Sequence, residues 1–591
     1  MLISDFLDCG KEVPVEIVQA YLELVDYCIN RPDEPLLRAR GFLVAGQLIR
    51  CDLIACGFLE RVLTAINAPE ETEIVQVACI RALEGFVTGG AVLPSGQAQV
   101  VQAIGQWIMN KDMTTLEEAD DLLISLAETL RAAINIDKRV ALSNDVPALD
   151  LLFQIAKHGA NNFQVTMMIC ETFEDIVQTM ADPQLYQALC QKVLPSLTST
   201  FDAANVTSDD PLVTFATELM AALTQYGSEP LPPGFVAATL PKLTRLLMES
   251  MEGEVLRPGV ESVKYLLQHG HHQVFNYQDE NGTTGVEICL RIIDRLLKPE
   301  IEDHAASEVG GLAAELVEKA GPERLGEYLD PLLKAVATRL ATAEAAPFIQ
   351  SLILVFARLS MERADAVVEF LSQLQIPDAH GNGQPGLQVV LAKWLENSVI
   401  FAGFDEIRQN VIALSKLYEL NDPRVAQTMV KGDLIVPVSD RIMTRSRAKE
   451  SKAHLHSLCP GTYHGAAPDQ YTIVPATLKI IKILVEELSS ASGAQNASTA
   501  AAAAASKFAD EEEEDDDGWE DEPDTVDLSL GSTKNDLMSY LEASSMTRHQ
   551  DDETNRFLTD FFRRVAQTPD FHNWFEMLTD DEKQKLNTVG S

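Results

Sequence analysis

The sequence predicts an all-α fold built from stacked helix pairs, and three observations support this prediction. In the stretch ETEIVQVACIRALEGFV, residues 71–87, apolar side chains recur at three- and four-residue steps and cover more than one side of a helix. Related helices return with starts roughly 37 to 49 residues apart, the period of helical-pair repeats. The alternation of apolar and polar residues that is typical of β-strands is nearly absent. Together these features predict a HEAT/armadillo-like α–α superhelix, or solenoid.

Further apolar helices of the same kind are expected along the first half of the chain. They begin near Pro35, Glu117, Phe163, Pro211 and Val255. Turns containing Asp or Asn precede several of them and are expected to cap their N-termini, at residues 31–35, 161–162 and 208–211. The alternate, outer helices carry prolines that we expect in the first helical turn, where no N–H partner is lost: Pro195, Pro241 and Pro331.

The helical pattern changes near residue 431, which sets the predicted domain boundaries. The chain divides into a solenoid, a basic loop, a further solenoid helix, a low-complexity linker with an acidic loop, and a C-terminal helical repeat, over residues 1–430, 431–474, 475–489, 490–533 and 534–591. In the last repeat, Thr579 and Glu582 have the spacing of a capping box.

The strongest compositional feature is the negative charge. The 591-residue chain has a formal net charge of −43, and a tract from Asp510 to Asp527 supplies 13 carboxylates without a base. The rest of the chain therefore still carries about −30, so the repeats are acidic as well. Such a surface repels nucleic acid and anionic membranes and attracts basic proteins. We expect no direct nucleic-acid contact and no membrane insertion; the alternative is that the charge only confers solubility.

The acidic tract is the candidate binding site. Eight consecutive carboxylates cannot pack together without neutralisation, so this loop is expected to be disordered until a cationic partner binds. Trp519 would add a cation–π or an apolar contact. The predicted site for a basic protein surface comprises Asp510, Glu511, Glu512, Glu513, Glu514, Asp515, Asp516, Asp517, Trp519, Glu520, Asp521 and Glu522. The alternatives are a solvated spacer, or pairing in cis with the basic run from Arg441 to Lys452.

Two histidine-containing clusters are the candidates for metal chemistry, and neither is adopted as a site. His454, His456, Cys459 and His464 have a spacing that could close around zinc, but their flanks offer no second shell. The cluster from His269 to His272 follows an apolar helix and is interpreted as a polar helix terminus. No phosphate-binding loop or catalytic motif is present, so we expect no cofactor and no enzymatic activity.

Six segments carry a resemblance to a known family. They are IQSLILVFARL from Ile349, IMTRSRAK from Ile442, LKIIKILVEELS from Leu478, GWEDE from Gly518, FLTDFF from Phe557 and LTDDEKQKLNTVG from Leu578. Together they resemble the C-terminal half of importin-9-like β-karyopherins, and the likeness extends over essentially the whole chain. The resemblance implies that the family's N-terminal domain, with its main GTPase contacts, has no counterpart upstream of Met1. It also implies that Ser451 to Pro468 is an insertion relative to the family.

The resemblance implies a nuclear import receptor that shuttles between cytoplasm and nucleus through the nuclear pore. It would carry and chaperone basic cargo, notably core histones and ribosomal proteins, under control of the small GTPase Ran and with nucleoporins as further partners. A second hypothesis is a HEAT-repeat scaffold for a multisubunit assembly, and a third is a metal-dependent enzyme. Carriage of basic cargo predicts binding that weakens steeply with salt, whereas a scaffold would bind neutral partners with little salt response.

Overall fold

The structure of the protein is a computed structural model that describes residues 15–48, 56–111, 120–203, 210–377, 383–434, 471–491 and 551–590. The chain forms two compact units, Met1–Leu325 and Gly326–Ser591. The predicted all-α repeat fold is confirmed, since helices account for nearly all regular structure in the described residues. No helix in these ranges is long and apolar enough to cross a bilayer.

The first unit is a stack of helices. In order, these are α1 (Val15–Ile29), α2 (Pro35–Leu48), α3 (Cys56–Ala65), α4 (Glu73–Thr88), α5 (Pro94–Met109), α6 (Asp120–Ile136), α7 (Ala148–His158), α8 (Phe163–Thr179), α9 (Pro183–Ala203), α10 (Pro211–Gln225), α11 (Phe235–Glu249), α12 (Gly253–Asn276), α13 (Gly285–Leu296) and α14 (Val309–Leu325). A short 3₁₀ helix, Lys138–Leu142, follows α6.

These helices alternate between two layers. The even-numbered helices, from α2 to α14, pack on one another in sequence order and form layer one. The odd-numbered helices form layer two, and each packs on a layer-one neighbour. A layer-one helix therefore has neighbours on three sides, which is why the apolar residues of α4 extend around most of its surface. In α4, Val75, Cys79, Ile80 and Leu83 are fully buried.

Layer-one backbones approach each other closely where glycines cross. A Cβ atom placed on Gly85 would lie 2.6 Å from the carbonyl oxygen of Gly46, and one on Gly46 would lie 2.7 Å from that of Ala82. The two helices can touch here only because neither crossing residue has a side chain. Helices α2 and α4 are consequently much closer to each other than α3 and α5 are. Tighter spacing on one side bends a stack toward that side, so we infer that layer one is the concave side of the first unit.

Helix starts agree with the predicted caps at two of the three turns. The Asn162 side chain accepts hydrogen bonds from the backbone N–H groups of Gln164 and Val165, and Asp210 accepts one from Leu212. These bonds satisfy backbone donors that a helix start leaves without partners.

The proline prediction is wrong for two of its three residues. Pro331 does lie in the first turn of its helix, but Pro195 and Pro241 lie inside α9 and α11. Each of these helices begins well before its proline, because apolar residues upstream are buried and extend the helix. Tyr186 and Leu189 of α9 are fully buried, and packing of this kind outweighs the loss of one backbone hydrogen bond.

The second unit continues with helices but also contains two small sheets. Its elements are α15 (Leu329–Thr342), α16 (Ala346–Gln373), β1 (Gln375–Pro377), β2 (Gly383–Pro385), α17 (Gly386–Asn397), α18 (Phe404–Glu419), α19 (Pro423–Gln427), β3 (Met429–Leu434), β4 (Tyr471–Pro475), α20 (476–491), α21 (Asp551–Val565), α22 (Pro569–Glu576) and α23 (Asp580–Gly590). Gly326–Tyr328 and Ser398–Ile400 are 3₁₀ turns.

The strands β3 and β4 were not expected from the sequence. They pair antiparallel, with Val430 opposite Val474 and Leu434 opposite Tyr471, at the two ends of the segment predicted as a basic loop. Extended pairing forms here because Val430 is buried and the strands satisfy each other's backbone groups. Residues 476–491 are helical, in the region where the sequence predicts a solenoid helix over 475–489.

The C-terminal helices dock on α18 and α20 within the second unit. Phe561 of α21 contacts the Tyr418 ring edge-on at 5.9 Å, and Phe562 meets Phe571 of α22. The predicted capping box is confirmed, since the Thr579 backbone N–H donates to Glu582 and the Glu582 N–H donates to the Thr579 hydroxyl. Residues 534–550 of the predicted C-terminal repeat lie outside the described residues.

Candidate functional site

The solvent side of layer one carries a connected set of charged side chains. We call this set the acidic face; its carboxylates are Glu84, Asp121, Glu128, Glu171, Glu174 and Glu218, and its bases are Arg81 and Arg131. The residues recur at helical spacing on α4, α6, α8 and α10, which places them on the side of each helix away from layer two. The net charge of the set is negative by four, so the concave side of the first unit is acidic.

At its α4–α6 end the acidic face encloses a groove of about 560 Å³. Glu84, Asp121 and Glu128 line the groove together with the glycine crossing of α2 and α4. Arg81 also lies here, and its Nε donates to the Ser125 hydroxyl at 3.1 Å. The groove exists because two glycines leave no side chains above the crossing, and carboxylates border the space that remains.

At its α8–α10 end the acidic face is crowded. Arg131 binds Glu171 at 2.8 Å and thereby bridges α6 to α8. The Cys170 thiol donates to Glu218 at 3.3 Å, and the Tyr226 hydroxyl donates to Glu174 at 2.6 Å. These contacts join three neighbouring helices through polar side chains at the surface.

The environment of Glu218 disfavours its negative charge. Displacement of water by neighbouring helices raises the pKa of Glu218 above its ordinary value, and the negative charge of Glu254 raises it further. The Cys170 hydrogen bond and Arg257 oppose this shift without cancelling it. A carboxylate in such surroundings gains free energy when a cation approaches.

Farther along layer one the charges balance. Lys264 of α12 binds Glu308 at 2.9 Å and lies 3.9 Å from Glu261. Helix α12 as a whole carries two carboxylates and two bases. Compared with α12, the layer-one helices α4, α6, α8 and α10 therefore carry the excess of negative charge.

The acidic residues predicted as a binding site, Asp510 to Asp517, Trp519 and Glu520 to Glu522, lie outside the described residues. The same holds for the basic run from Arg441 to Lys452 and for the candidate zinc cluster from His454 to His464. Within the ranges that the structure covers, no group of His, Cys, Asp and Glu side chains is placed to hold a metal ion.

Sequence reasoning placed acidity in the repeats but did not name the residues of the acidic face. The signal was present, because Asp121, Glu128, Glu171 and Glu174 occupy polar positions at helical spacing within otherwise apolar segments. What was missing was the alternation of layers, which decides which polar positions of different helices share one side of the stack.

Residues 1–160 match a family model described as importin-9 central HEAT repeats. Over 568 residues the chain is 29% identical to importin subunit beta-5 of Schizosaccharomyces pombe, in a match that covers 94% of this chain and 52% of the relative. The chain is similar to the importin-9-like karyopherins. It is also 23% identical over 478 residues to importin-9 of Drosophila melanogaster, in a match that covers 79% of this chain and 44% of that protein. It thus spans about half the length of the curated relatives it matches.

The fold of the chain is also found among solved structures. The exportin Cse1 in its cargo-free, cytoplasmic state superposes with a TM-score of 0.55 at 13% identity, over 96% of this chain and 51% of that one. At this level of identity the likeness concerns the fold alone. It agrees with the two-layer helical stack.

Proposed function

We propose that this protein acts as a nuclear transport receptor of the importin-9-like type and that its acidic face holds basic protein cargo. The observation that carries the proposal is the excess of carboxylates on the concave side of the first unit. Three of the carboxylates, on α6 and α10, form no ion pair with a lysine or arginine among the described residues: Asp121, Glu128 and Glu218. A lysine- or arginine-rich surface would supply the missing positive charge.

The size of the acidic face favours a folded cargo surface over a short peptide. Adjacent packed helices lie about 8–10 Å apart. The four layer-one helices α4, α6, α8 and α10 therefore present a surface roughly 30 Å long. The family resemblance implies core histones and ribosomal proteins as basic cargo of this kind. We therefore propose these proteins as the cargo class. A surrounding concave wall would also shield their charge from nucleic acid, which is the action of a chaperone.

The family resemblance extends the proposal to the partners of transport. We propose the small GTPase Ran as the regulator, nucleoporins as contacts at the pore, and shuttling between cytoplasm and nucleus. The acidic loop from Asp510 to Asp527 is proposed as a second cargo-binding element, because its 13 carboxylates would add to the field of the acidic face.

The test is a titration of the chain with a core histone dimer at two ionic strengths, with and without GTP-bound Ran. We expect tight binding that weakens by an order of magnitude or more between about 0.1 M and 0.3 M salt, because exposed charges are screened. A neutral protein of similar size is the control. Binding that salt does not change would favour the scaffold hypothesis, and an unaltered affinity in the presence of Ran would remove Ran from the proposal.

Deletion of Asp510 to Asp527 tests the second element. We expect a several-fold change in affinity for the histone dimer or for Ran, with the helical content by circular dichroism unchanged. If the deletion variant and the full chain bind each partner with the same affinity, the loop is only a spacer. In that case the proposal for the acidic face would stand by itself.

A further inference from the structure

Helix α12 is interrupted one turn and a half before its end. Gly270 has non-helical backbone angles, φ −133° and ψ 24°, and the helix then resumes to Asn276. The cluster from His269 to His272 therefore lies at a kink inside the helix and not at the helix terminus that the sequence predicted. A Cβ atom at this position would lie 2.8 Å from the end of the Leu231 side chain, which would have to shift.

The kink ties α12 to the loop between α10 and α11. The His269 carbonyl accepts a hydrogen bond from the Leu231 backbone N–H at 3.2 Å. From the next turn, the Gln273 side chain donates to the carbonyl groups of Leu231 and Pro232 at 2.8 and 3.0 Å. The loop is thus held by α12 through three bonds around one histidine.

The ring of His269 is fixed on both sides. It stacks on Tyr265, with ring centres 6.1 Å apart and planes 7° from parallel. Its Nε2 lies 3.2 Å from the carbonyl oxygen of Gln225, at the end of α10. A carbonyl can only accept, so Nε2 carries the hydrogen and Nδ1 is the unprotonated nitrogen. That Nδ1 is buried without a hydrogen-bond partner among the described residues.

Several charged groups face this ring. Glu229 approaches from the α10–α11 loop, and Glu315 and Lys319 approach from α14. Burial is the largest influence and lowers the pKa of His269; the Gln225 carbonyl and the two carboxylates oppose it, while Lys319 adds to it. His271 faces His272, Lys319 and Glu229, and burial lowers its pKa as well.

We propose that His269 makes the junction between α12 and the α10–α11 loop sensitive to mild acid. A proton on Nδ1 would add a charged donor at a buried point that offers no acceptor. The cost is relieved when the ring leaves its place between Tyr265 and Gln225, and this movement releases the Leu231 bond. This proposal does not depend on the proposed function.

The direction of the pH effect follows from the neutral folded state. Because the folded state disfavours the proton, the junction keeps its full stability above the ordinary histidine pKa of about 6.5. Stability is lost as the pH falls below that value toward the lowered pKa of the folded state. The junction joins α10 and α12, so its opening would also alter the spacing between Glu218 and Glu254 on the concave side.

Hydrogen exchange measured by mass spectrometry on the whole chain tests the proposal. The informative peptide covers residues 226–234, and rates are compared at pH 7.5 and pH 5.5 after correction for intrinsic exchange. We expect opening at pH 5.5 to increase on the order of three- to tenfold in the wild type. His269→Gln keeps an N–H donor but cannot bind a proton, so its opening should not change with pH. His272→Gln, which alters an exposed neighbour, should behave like the wild type.

Three results would overturn the proposal. The first is wild-type exchange in residues 226–234 that does not change with pH after correction. The second is His269→Gln with the pH response of the wild type. The third is loss of that response in His271→Gln with His269 intact, which would assign the effect to the other histidine. The wild-type measurement decides the first point even if a variant fails to fold.

Discussion

The two layers of the first unit have similar cores but different charges. Across the same stretch of chain, the layer-one helices α4, α6, α8 and α10 carry nine carboxylates and two arginines, whereas the layer-two helices α3, α5, α7 and α9 carry three carboxylates and three bases. Both sets bury long apolar side chains, as Phe173 of α8 and Tyr186 of α9 illustrate. The layers therefore differ in what they present to solvent and not in how they are held together.

This difference separates two explanations of the acidity. A charge that served only solubility would gain nothing from being confined to one layer, since either exposed side keeps a protein in solution equally well. Helices of the two layers alternate between α3 and α10, so the segregation recurs at several separate layer-one helices in this stretch. A surface that contacts a basic partner on one side explains this pattern directly.

The largest expected effect concerns the close approach of backbones in layer one. Gly85→Val would place side-chain atoms against the backbone of Gly46, where even a Cβ atom has only 2.6 Å. We expect the free energy of unfolding to fall by about 3 kcal/mol or more, because backbone cannot move aside as a flexible side chain can. Urea unfolding followed by circular dichroism provides the measurement.

The matched control comes from layer two. A Cβ atom on Gly57 of α3 would meet nothing within 4 Å, so Gly57→Val should change stability by only about 0.5 kcal/mol. Equal losses in the two variants would show that the layers are equally spaced. In that case layer one would no longer be the concave side.

The next effect concerns a charged lysine in the second unit. It is buried, whereas the carboxylates of the acidic face lie at the surface. Lys482 of α20 is 8% exposed and binds Asp433 at 2.8 Å and Glu582 at 2.9 Å. Burial opposes its charge, but the bonds to these carboxylates outweigh burial and raise the pKa of Lys482, so it stays protonated at neutral pH. Lys482→Met leaves Glu582 without its cation. We expect a loss of about 2 kcal/mol and faster hydrogen exchange in α23.

A lysine on the other side of the same helix contact serves as the control for Lys482. Lys585 of α23 binds Glu486 at 2.8 Å but is 28% exposed. Surface ion pairs contribute about 0–1 kcal/mol, so Lys585→Met should leave the exchange of α23 nearly unchanged. If both variants increase hydrogen exchange in α23 equally, the burial of Lys482 does not make its ion pair more stabilising than the exposed one.

A smaller effect tests the two layers directly. The double variant Glu128→Gln with Glu218→Gln removes two charges from the acidic face without changing side-chain size. We expect its affinity for a core histone dimer to fall by about three- to tenfold at low salt, and by less at high salt. The control is Glu60→Gln with Asp150→Asn, which removes two exposed charges from layer two. If both double variants lose affinity equally, the basic partner responds to net charge alone.

Local sequence signals predicted the local structure well. Apolar spacing located α4 and α8, and the side chains of Asn162 and Asp210 cap the helices that they precede. The Thr579–Glu582 box was also found from spacing, but the second role of Glu582 was not. Its partner Lys482 lies 100 residues away, and no short-range pattern links them.

The features that sequence reasoning missed depend on tertiary packing. Pro195 and Pro241 lie inside helices because buried residues on both sides outweigh the local preference for a helix start. The strands β3 and β4 form because two distant segments meet, and neither segment alternates over enough residues to predict a strand. The acidic face requires knowledge of which helices share a layer. Each of these outcomes is decided by neighbours that are remote in sequence.

The smallest expected effect concerns the segment between β3 and β4. We predict that deleting Ser451 to Pro468 leaves the melting temperature unchanged. The pairing of Leu434 with Tyr471 holds the two ends of this segment side by side. After the deletion, 18 residues still connect them, which is ample for adjacent strands whose ends need only a short turn. Differential scanning calorimetry is the measurement, and deletion of residues 429–434, which removes β3 itself, is the control that should lower the melting temperature. If the first deletion clearly lowers the melting temperature, the segment packs on folded parts of the chain, and its interpretation as an insertion without a structural role is wrong.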